Sequence, residues 1–351
     1  ECCISISGGY GLNCPTNSHL LNKYHFKKFV SVPCVNDSGI ALGIGLRAFF
    51  LLLGDKMNFQ LKTPFYGSAF ESEEWKEKYG KFIASTQKLS KSLWIEDIKR
   101  SPVLWFDSNA EIGPRALGHR SLIAAPSSEN KDRLNNIKKR EWWRPVAPVV
   151  LKEDADDWFE MCCDDTPFML HTCKVRADKI SLIPAVVHMD GTARVQTLDR
   201  DTDPRLYHLL EAYKADSGIP LICNTSLNDK GEPIIDGVDE AFNFALRKKM
   251  GVIYINGERV ELCNHEAFIE TQPAKRSLNG LMLKMEAQKE KRKDKVNPFG
   301  LSRREVGYIC LFENFKKMYD LQKKDDADKF REFVAKVDKN NPIDIDEIFM
   351  I

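Results

Sequence analysis

Residues 111–126 read EIGPRALGHRSLIAAP, with two arginines, a histidine and a serine set among glycine and proline breaks. Gly113, Pro114 and Gly118 argue against a core helix, and the apolar LIAA that follows argues against a plain surface loop. A turn that aims Arg115, His119, Arg120 and Ser121 at one anion uses each of these residue types. Further cations, Lys138, Arg140 and Arg144, follow shortly. Arg144 precedes Pro145 in WWRPVAP, which biases its backbone towards extended conformations. Guanidinium groups on fixed backbone suit two-pronged capture of phosphate or carboxylate oxygens better than lysines do. The competing use for these cations is surface pairing with Glu111, Glu129, Asp132 and Glu141, and Lys131, Arg133 and Lys139 are assigned to it.

Two polar loops bring more of the same chemistry. HMDGTARVQT places Arg194 after a glycine, and CNTSLNDKGEPI offers Asn224, Thr225, Ser226 and Asn228 in one short stretch. Asx turns and caps use such residues too, but several such segments in one region point to an anion-binding cleft. Near the start, SISGGYGLNCPTN and VNDSGIALG are glycine turns after short apolar runs. Glycine there lets backbone N–H groups approach a phosphate or ribose. Asn13 and Asn17 can bond a sugar or base edge, and Asp37 can ligate a metal.

The elements that must position these residues alternate strand and helix signals, so the fold class is α/β. CISIS and KKFVSVPCV read as strands, CPTNSHLLNKY as a helix, and IALGIGLRAFFLLLG as an apolar helix closed by Gly54. Residues 55–74 read as a polar connector. Beyond it, EEWKEKYGKFIASTQKLSKSLWIEDIKRS reads as helical and PVLWF as a strand. A capped helix from Ser127 or Ser128 follows, then strands VAPVVL, FMLHTCKV, ARVQTL and PLICNTSL, with VIYING as the last. DPRLYHLLEAYKADSG and VDEAFNFALRKKMG read as amphipathic helices. After residue 271 the charge run KMEAQKEKRKDK and the aromatic-faced SRREVGYICLFENFKKMYDLQ and DKFREFVAKV predict a helical extension.

With 351 residues the chain is long enough for more than one domain. A net charge of +1 gives no ground for nucleic-acid affinity. The ten cysteines include no C-x-x-C spacing, so reduced thiols in a cytoplasmic protein are expected. Cys162, Cys163, His171 and Cys173 match no common zinc spacing and are read as buried side chains. No apolar run reaches the length of a membrane span. The first residue is Glu1, and ECCISISGG reads as a strand entering a turn, so the chain is expected to continue a longer polypeptide.

Taken in order, GPRALGHRS, KKREWWRPVAP, HMDGTARVQT and CNTSLNDKGEPI resemble the nodulation/cephamycin/tobramycin family of O-carbamoyltransferases. SGGYGLNCPTN and NDSGIALG are similar to the end of that family's preceding domain. The resemblance implies the C-terminal part of a Kae1-like (actin-like ATPase) domain in residues 1–62 and a YrdC-like twisted-sheet domain in residues 75–270. Residues 271–351, a helical extension, fall outside it. It implies that carbamoyl phosphate and ATP give a carbamoyl-adenylate, whose carbamoyl group passes to a hydroxyl of a small sugar or natural product. It assigns Arg115, Lys138, Arg144 and Arg194, with His119, to phosphate and carbamoyl oxygens. Gly8, Gly9, Asn13, Arg120, Ser121, Asn224 and Ser226 are assigned to substrate and nucleotide. Asp37 falls to a metal, iron or another divalent ion, with Mg2+ accompanying ATP.

The family's histidine pair for that metal has no counterpart, since His19 and His25 are spaced differently. A missing N-terminal segment, or a separate chain that supplies it, is therefore the expected partner. Two other functions compete: a threonylcarbamoyl-type transferase acting on tRNA, and a non-catalytic subunit. Near-neutral charge disfavours the first, and restoration of transfer by an added N-terminal segment would mark the second.

Overall fold

The computed structural model describes residues 2–24, 26–54, 57–69, 73–274, 300–302, 305, 319 and 323–340. In chain order the elements begin β1 (Cys3–Ile4), α1 (Cys14–Tyr24), β2 (Lys28–Phe29), α2 (Gly39–Leu53), β3 (Ile83–Lys88), α3 (Lys91–Arg100), β4 (Val103–Phe106) and β5 (Arg120–Ala124). They continue with α4 (Ser128–Ile137), β6 (Ala147–Leu151), β7 (Phe159–Glu160), β8 (Thr172–Val175), β9 (Thr192–Arg194) and β10 (Gln196–Leu198). The last are α5 (Pro204–Ser217), β11 (Leu221–Ser226), α6 (Val238–Arg247), β12 (Val252–Ile255), β13 (Glu258–Leu262) and α7 (Lys324–Asn340).

Eight strands form one mixed sheet in the order β10-β6-β11-β5-β4-β12-β13-β3. The β10–β6 and β4–β12 pairs are parallel, and the other neighbours are antiparallel. Period-two alternation explains how its apolar strands serve two faces at once. Leu104 and Phe106 of β4 join a core with Phe242 and Phe244, whereas Val103 and Trp105 join another with Trp94, Ile98 and Leu210. A sheet covered on both sides needs apolar residues at successive positions, which is why VLWF and APVVL are buried throughout. Smaller sheets lie beside it: antiparallel β7-β8-β9, and the parallel pair β1-β2.

Local chemistry sets the helix ends. Ser127 caps α4 by accepting from the Asn130 N–H, and Asp203 caps α5 by accepting from the Leu206 N–H. Gly218, at φ 74°, ends α5 in the left-handed conformation.

Two features depart from the sequence reading. The helix expected over residues 73–101 is interrupted, because the β-branched Ile83 and Thr86 lie in β3, the sheet's edge strand, which pairs antiparallel with β13. Nor is VIYING the last strand. Asn256 (φ 46°) and Gly257 (φ 87°) turn the chain back into β13, as an Asn-Gly pair between strands does.

The chain divides into two compact units, Glu1–Ser38 with Leu61–Arg276, and Gly39–Gln60 with Ser277–Ile351. One break thus falls between Gln60 and Leu61, while Glu1–Ser38 groups with the chain that follows that break. Within the larger unit, Asn17 Nδ2 donates to the Leu170 carbonyl at 2.9 Å, and Ser18 Oγ accepts from the Thr172 N–H at 2.9 Å. The polar connector contributes to the same unit from Leu61 onward. Gly67 N–H donates to the Ala110 carbonyl, and the buried Phe65 ring stacks 3.4 Å from the His119 imidazole. In the smaller unit, α7 buries Ala327, Phe330 and Val334, a stripe at spacing three and four. The helix expected over residues 302–322 falls mostly outside the described residues.

Candidate functional site

The motif at residues 111–126 uses most of its polar side chains to build itself. Glu111 Oε1 accepts the backbone N–H groups of Leu117, His119 and Arg120 at 2.7, 2.8 and 3.2 Å. Arg120, fully buried over the Phe106 ring, donates to the carbonyls of Asp107, Ser108 and Asp236. His119 Nδ1 meets the Asn109 carbonyl at 2.7 Å, and its Nε2 lies 3.4 Å from Asp203 Oδ2. Burial opposes charge on that imidazole, but Asp203 and Glu111 outweigh it and raise its pKa. Ser121 is buried within β5. His119, Arg120 and Ser121, all expected at the anion, thus face the interior. A loop with three glycine and proline breaks leaves many backbone groups needing partners, and these side chains supply them.

Arg115 is the exception. The turn is forced at Gly113 (φ 101°), where a Cβ would lie 2.4 Å from the Pro33 carbonyl oxygen. Gly113→Ala is therefore expected to destabilise the protein by about 1–3 kcal/mol in urea unfolding. A change below about 0.5 kcal/mol, the size of an ordinary surface substitution, would show that the contact constrains nothing.

Arg115, Arg140, Arg144 and Arg194 all line one cavity of about 660 Å³. Its other walls include Asn13 and Cys14 at the start of α1, Thr172 on β8, the 188–192 loop, and Asn224 and Thr225 at the end of β11. Among the described residues no carboxylate lies within salt-bridge distance of Arg115, Arg140 or Arg194, while Arg144 stands 3.8 Å from Glu141. Nε of Arg115, Arg140 and Arg194 is buried in each case without a partner. Burial, then the charge of Arg115, brings the Arg194 pKa down to about 10. Burial, then Arg144, does the same to Arg140, also to about 10. Among the described residues the carboxylates at this cavity, Asp190 in its wall and Glu141 beside Arg144, are fewer than its four arginines, so the cavity is rich in cationic side chains. An anion from outside is what the arrangement lacks.

Other expected residues go elsewhere. Lys138 is buried, and its Nζ donates to the Ser226 carbonyl at 2.7 Å and to Asn228. Ser226 Oγ in turn donates to Asn228 Oδ1 at 2.6 Å. Burial, then the charge of Arg140, pulls the Lys138 pKa down to about 7. Both residues therefore brace the turn that follows β11 and lie outside the cavity wall. Gly8 (φ 86°) donates its N–H to the Val35 carbonyl, and neither it nor Gly9 lines the cavity. Asp37 is exposed, and no cluster of three His, Cys, Asp or Glu side chains suited to a metal occurs among the described residues. The expected metal would need ligands beyond these. His25 lies outside the described residues. Arg140, named among the clustered cations of the sequence but given no role there, lines the cavity, as do Cys14, His188 and Asp190, which the sequence did not single out. Arg140 carried a signal, standing four residues before Arg144 in KKREWWRP.

The cavity and most of its walls lie in a stretch with known relatives. Residues 97–261 match the family described as Carbamoyltransferase C-terminus. Nodulation protein NolNO of Sinorhizobium fredii is 36% identical over 250 residues, 68% of this chain and 36% of its own length. The 3'-hydroxymethylcephem-O-carbamoyltransferase of Amycolatopsis lactamdurans is 38% identical over 249 residues, 68% of this chain and 44% of its own. Nodulation protein U of Bradyrhizobium diazoefficiens is 38% identical over 229 residues, 65% and 39% respectively. The chain thus spans less than half the length of these curated relatives. The motif order and these matches agree, and residues 97–261 of this chain are a domain of the family described as Carbamoyltransferase C-terminus.

Proposed function

We propose that this chain forms the carbamoyl-activating part of an ATP-dependent O-carbamoyltransferase acting on a hydroxyl of a small molecule. The observation that carries the reading is the meeting of four arginines in one cavity, three of them without a carboxylate partner among the described residues. Carbamoyl phosphate and ATP are dense anions of the kind such a cavity suits. In this reading water releases phosphate from carbamoyl phosphate, and a carbamate oxygen attacks the α-phosphorus of ATP as pyrophosphate departs. The acceptor hydroxyl then attacks the carbamoyl carbon, loses its proton, and AMP leaves. Arg115, Arg140 and Arg194 hold the phosphoryl and carbamoyl oxygens, Arg144 closes the mouth, and Asn13 and Asn224 orient the substrates.

The finer domain names go with this proposal: Kae1-like for residues 1–62 and YrdC-like for 75–270. So do Mg2+ with ATP, and a metal at Asp37 completed by residues outside the described set. The adenylate contact proposed for Gly8 and Gly9 stands on the same footing. Calorimetric titration of the chain with carbamoyl phosphate tests the central point. Saturable binding that weakens steeply as salt rises is expected, since charge attraction dominates. Absence of binding at low salt would remove the basis for the reading.

A further inference from the structure

The cavity's cations all donate hydrogen bonds, yet a carbamoyl group also carries an amide that must donate. A site built only of arginines would hold acetyl phosphate, which has a methyl in place of that amide, equally well. We propose that His188 is the residue that selects the carbamoyl group, its Nε2 accepting the hydrogen bond from the substrate NH2. The inference rests on the reading of the cavity as a carbamoyl phosphate site.

The ring's protonation pattern follows from its partners. His188 Nδ1 lies 2.9 Å from Thr192 Oγ1, and that hydroxyl lies 2.7 Å from Asp190 Oδ1. A carboxylate only accepts, so the hydroxyl's single proton is spent on Asp190. Thr192 Oγ1 must then accept from His188, which places the imidazole proton on Nδ1 and a lone pair on Nε2. The loop that fixes this relay is tight. His188 N–H donates to the Thr192 carbonyl at 2.7 Å, the Gly191 N–H returns to the His188 carbonyl at 3.0 Å, and Gly191 has φ 76°. His188 lines the cavity. Burial, working against the charge of Asp190 and with the smaller effect of Arg194, lowers its pKa and favours the neutral ring. A neutral acceptor beside four cations is what an amide N–H lacks elsewhere on those guanidinium walls.

The experiment is calorimetric titration with carbamoyl phosphate, acetyl phosphate and inorganic phosphate, on the parent, His188→Ala and His188→Gln. The parent is expected to prefer carbamoyl over acetyl phosphate by about tenfold, the worth of one hydrogen bond whose acceptor a methyl would strand. In His188→Ala the preference collapses towards one, with phosphate affinity kept within about twofold. If the alanine variant does not fold, His188→Gln decides. Its side-chain carbonyl accepts at similar reach, so it retains a preference, and losing the preference while still binding phosphate overturns the assignment. Full preference in a folded His188→Ala also overturns it, and leaves Asn224 Oδ1, buried at the wall without a partner, as the acceptor. A parent that binds none of the three anions defeats the carbamoyl phosphate reading itself, an outcome separate from these.

Discussion

Replacing Arg194 with alanine is expected to lower carbamoyl-phosphate-dependent ATP–pyrophosphate exchange by about 10²–10³-fold, the usual loss of one preorganised donor from a water-poor anion site. Arg194 carries this expectation better than its neighbours. It projects from β9, a strand hydrogen-bonded to β8, so its backbone is held on a sheet. Its guanidinium is desolvated, and it is repelled by Arg115, Arg144 and Arg140. Such a group gives nothing to the empty protein and everything to a bound anion. The same substitution should therefore leave thermal stability unchanged or raised, by about 2–4 °C for each 1 kcal/mol of relieved repulsion. Loss of exchange with a preserved or higher melting temperature separates a site residue from a structural one. Exchange within tenfold of the parent, or a marked fall in stability, would refute this role.

That contrast also explains how much of the site could be read from sequence. Arg115 and Arg194 were legible because each follows a backbone constraint, Pro114 or the Gly191 turn, that holds a side chain in place. Lys138 and Arg120 have the same chemistry in the same motifs, but their charges are used on carbonyl oxygens of the protein's own turns. Charge type and spacing do not tell a ligand's oxygens from the backbone's; only the direction of the side chain does. Direction depends on which face of β5 or which side of β11 a residue occupies, and that is set by strands far away in sequence. His188 was invisible for a related reason, since its importance lies in a relay through Thr192 and Asp190 that a motif string does not display. The fold was more legible. Continuous apolar runs marked the doubly covered strands, and Ser127, Asp203 and Gly218 marked helix ends. Edge strand β3 was missed because its exposed, polar-rich residues bury too little to leave a pattern.

The largest stability effect is expected at Asp97, well away from the arginine cavity. This buried carboxylate on α3 accepts from Arg259 Nε at 2.6 Å and Nη2 at 3.1 Å, from the Tyr254 hydroxyl at 2.8 Å, and from Arg100 at 2.8 Å. It joins α3 to both strands of the β12–β13 hairpin. The hydrogen bond and charge of Asp97 raise the Arg259 pKa, while burial and then Asp97 raise that of Tyr254. Asp97→Ala leaves the Arg259 side chain, 7% exposed, with Glu261 at 3.5 Å as its remaining carboxylate, and strands the phenol. Losing one partner of a buried pair costs about 3–5 kcal/mol, far more than the intact pair contributes over an apolar substitute. Urea unfolding should therefore shift strongly in Asp97→Ala, and the double variant Asp97→Leu with Arg259→Met should recover part of the loss, because no buried charge is then left alone. A single-variant cost under about 1 kcal/mol would mean that the charge is already solvated and that the hairpin is held by apolar packing instead. The carbamoyl phosphate affinity of the folded variants should match the parent, since none of these side chains lines the arginine cavity.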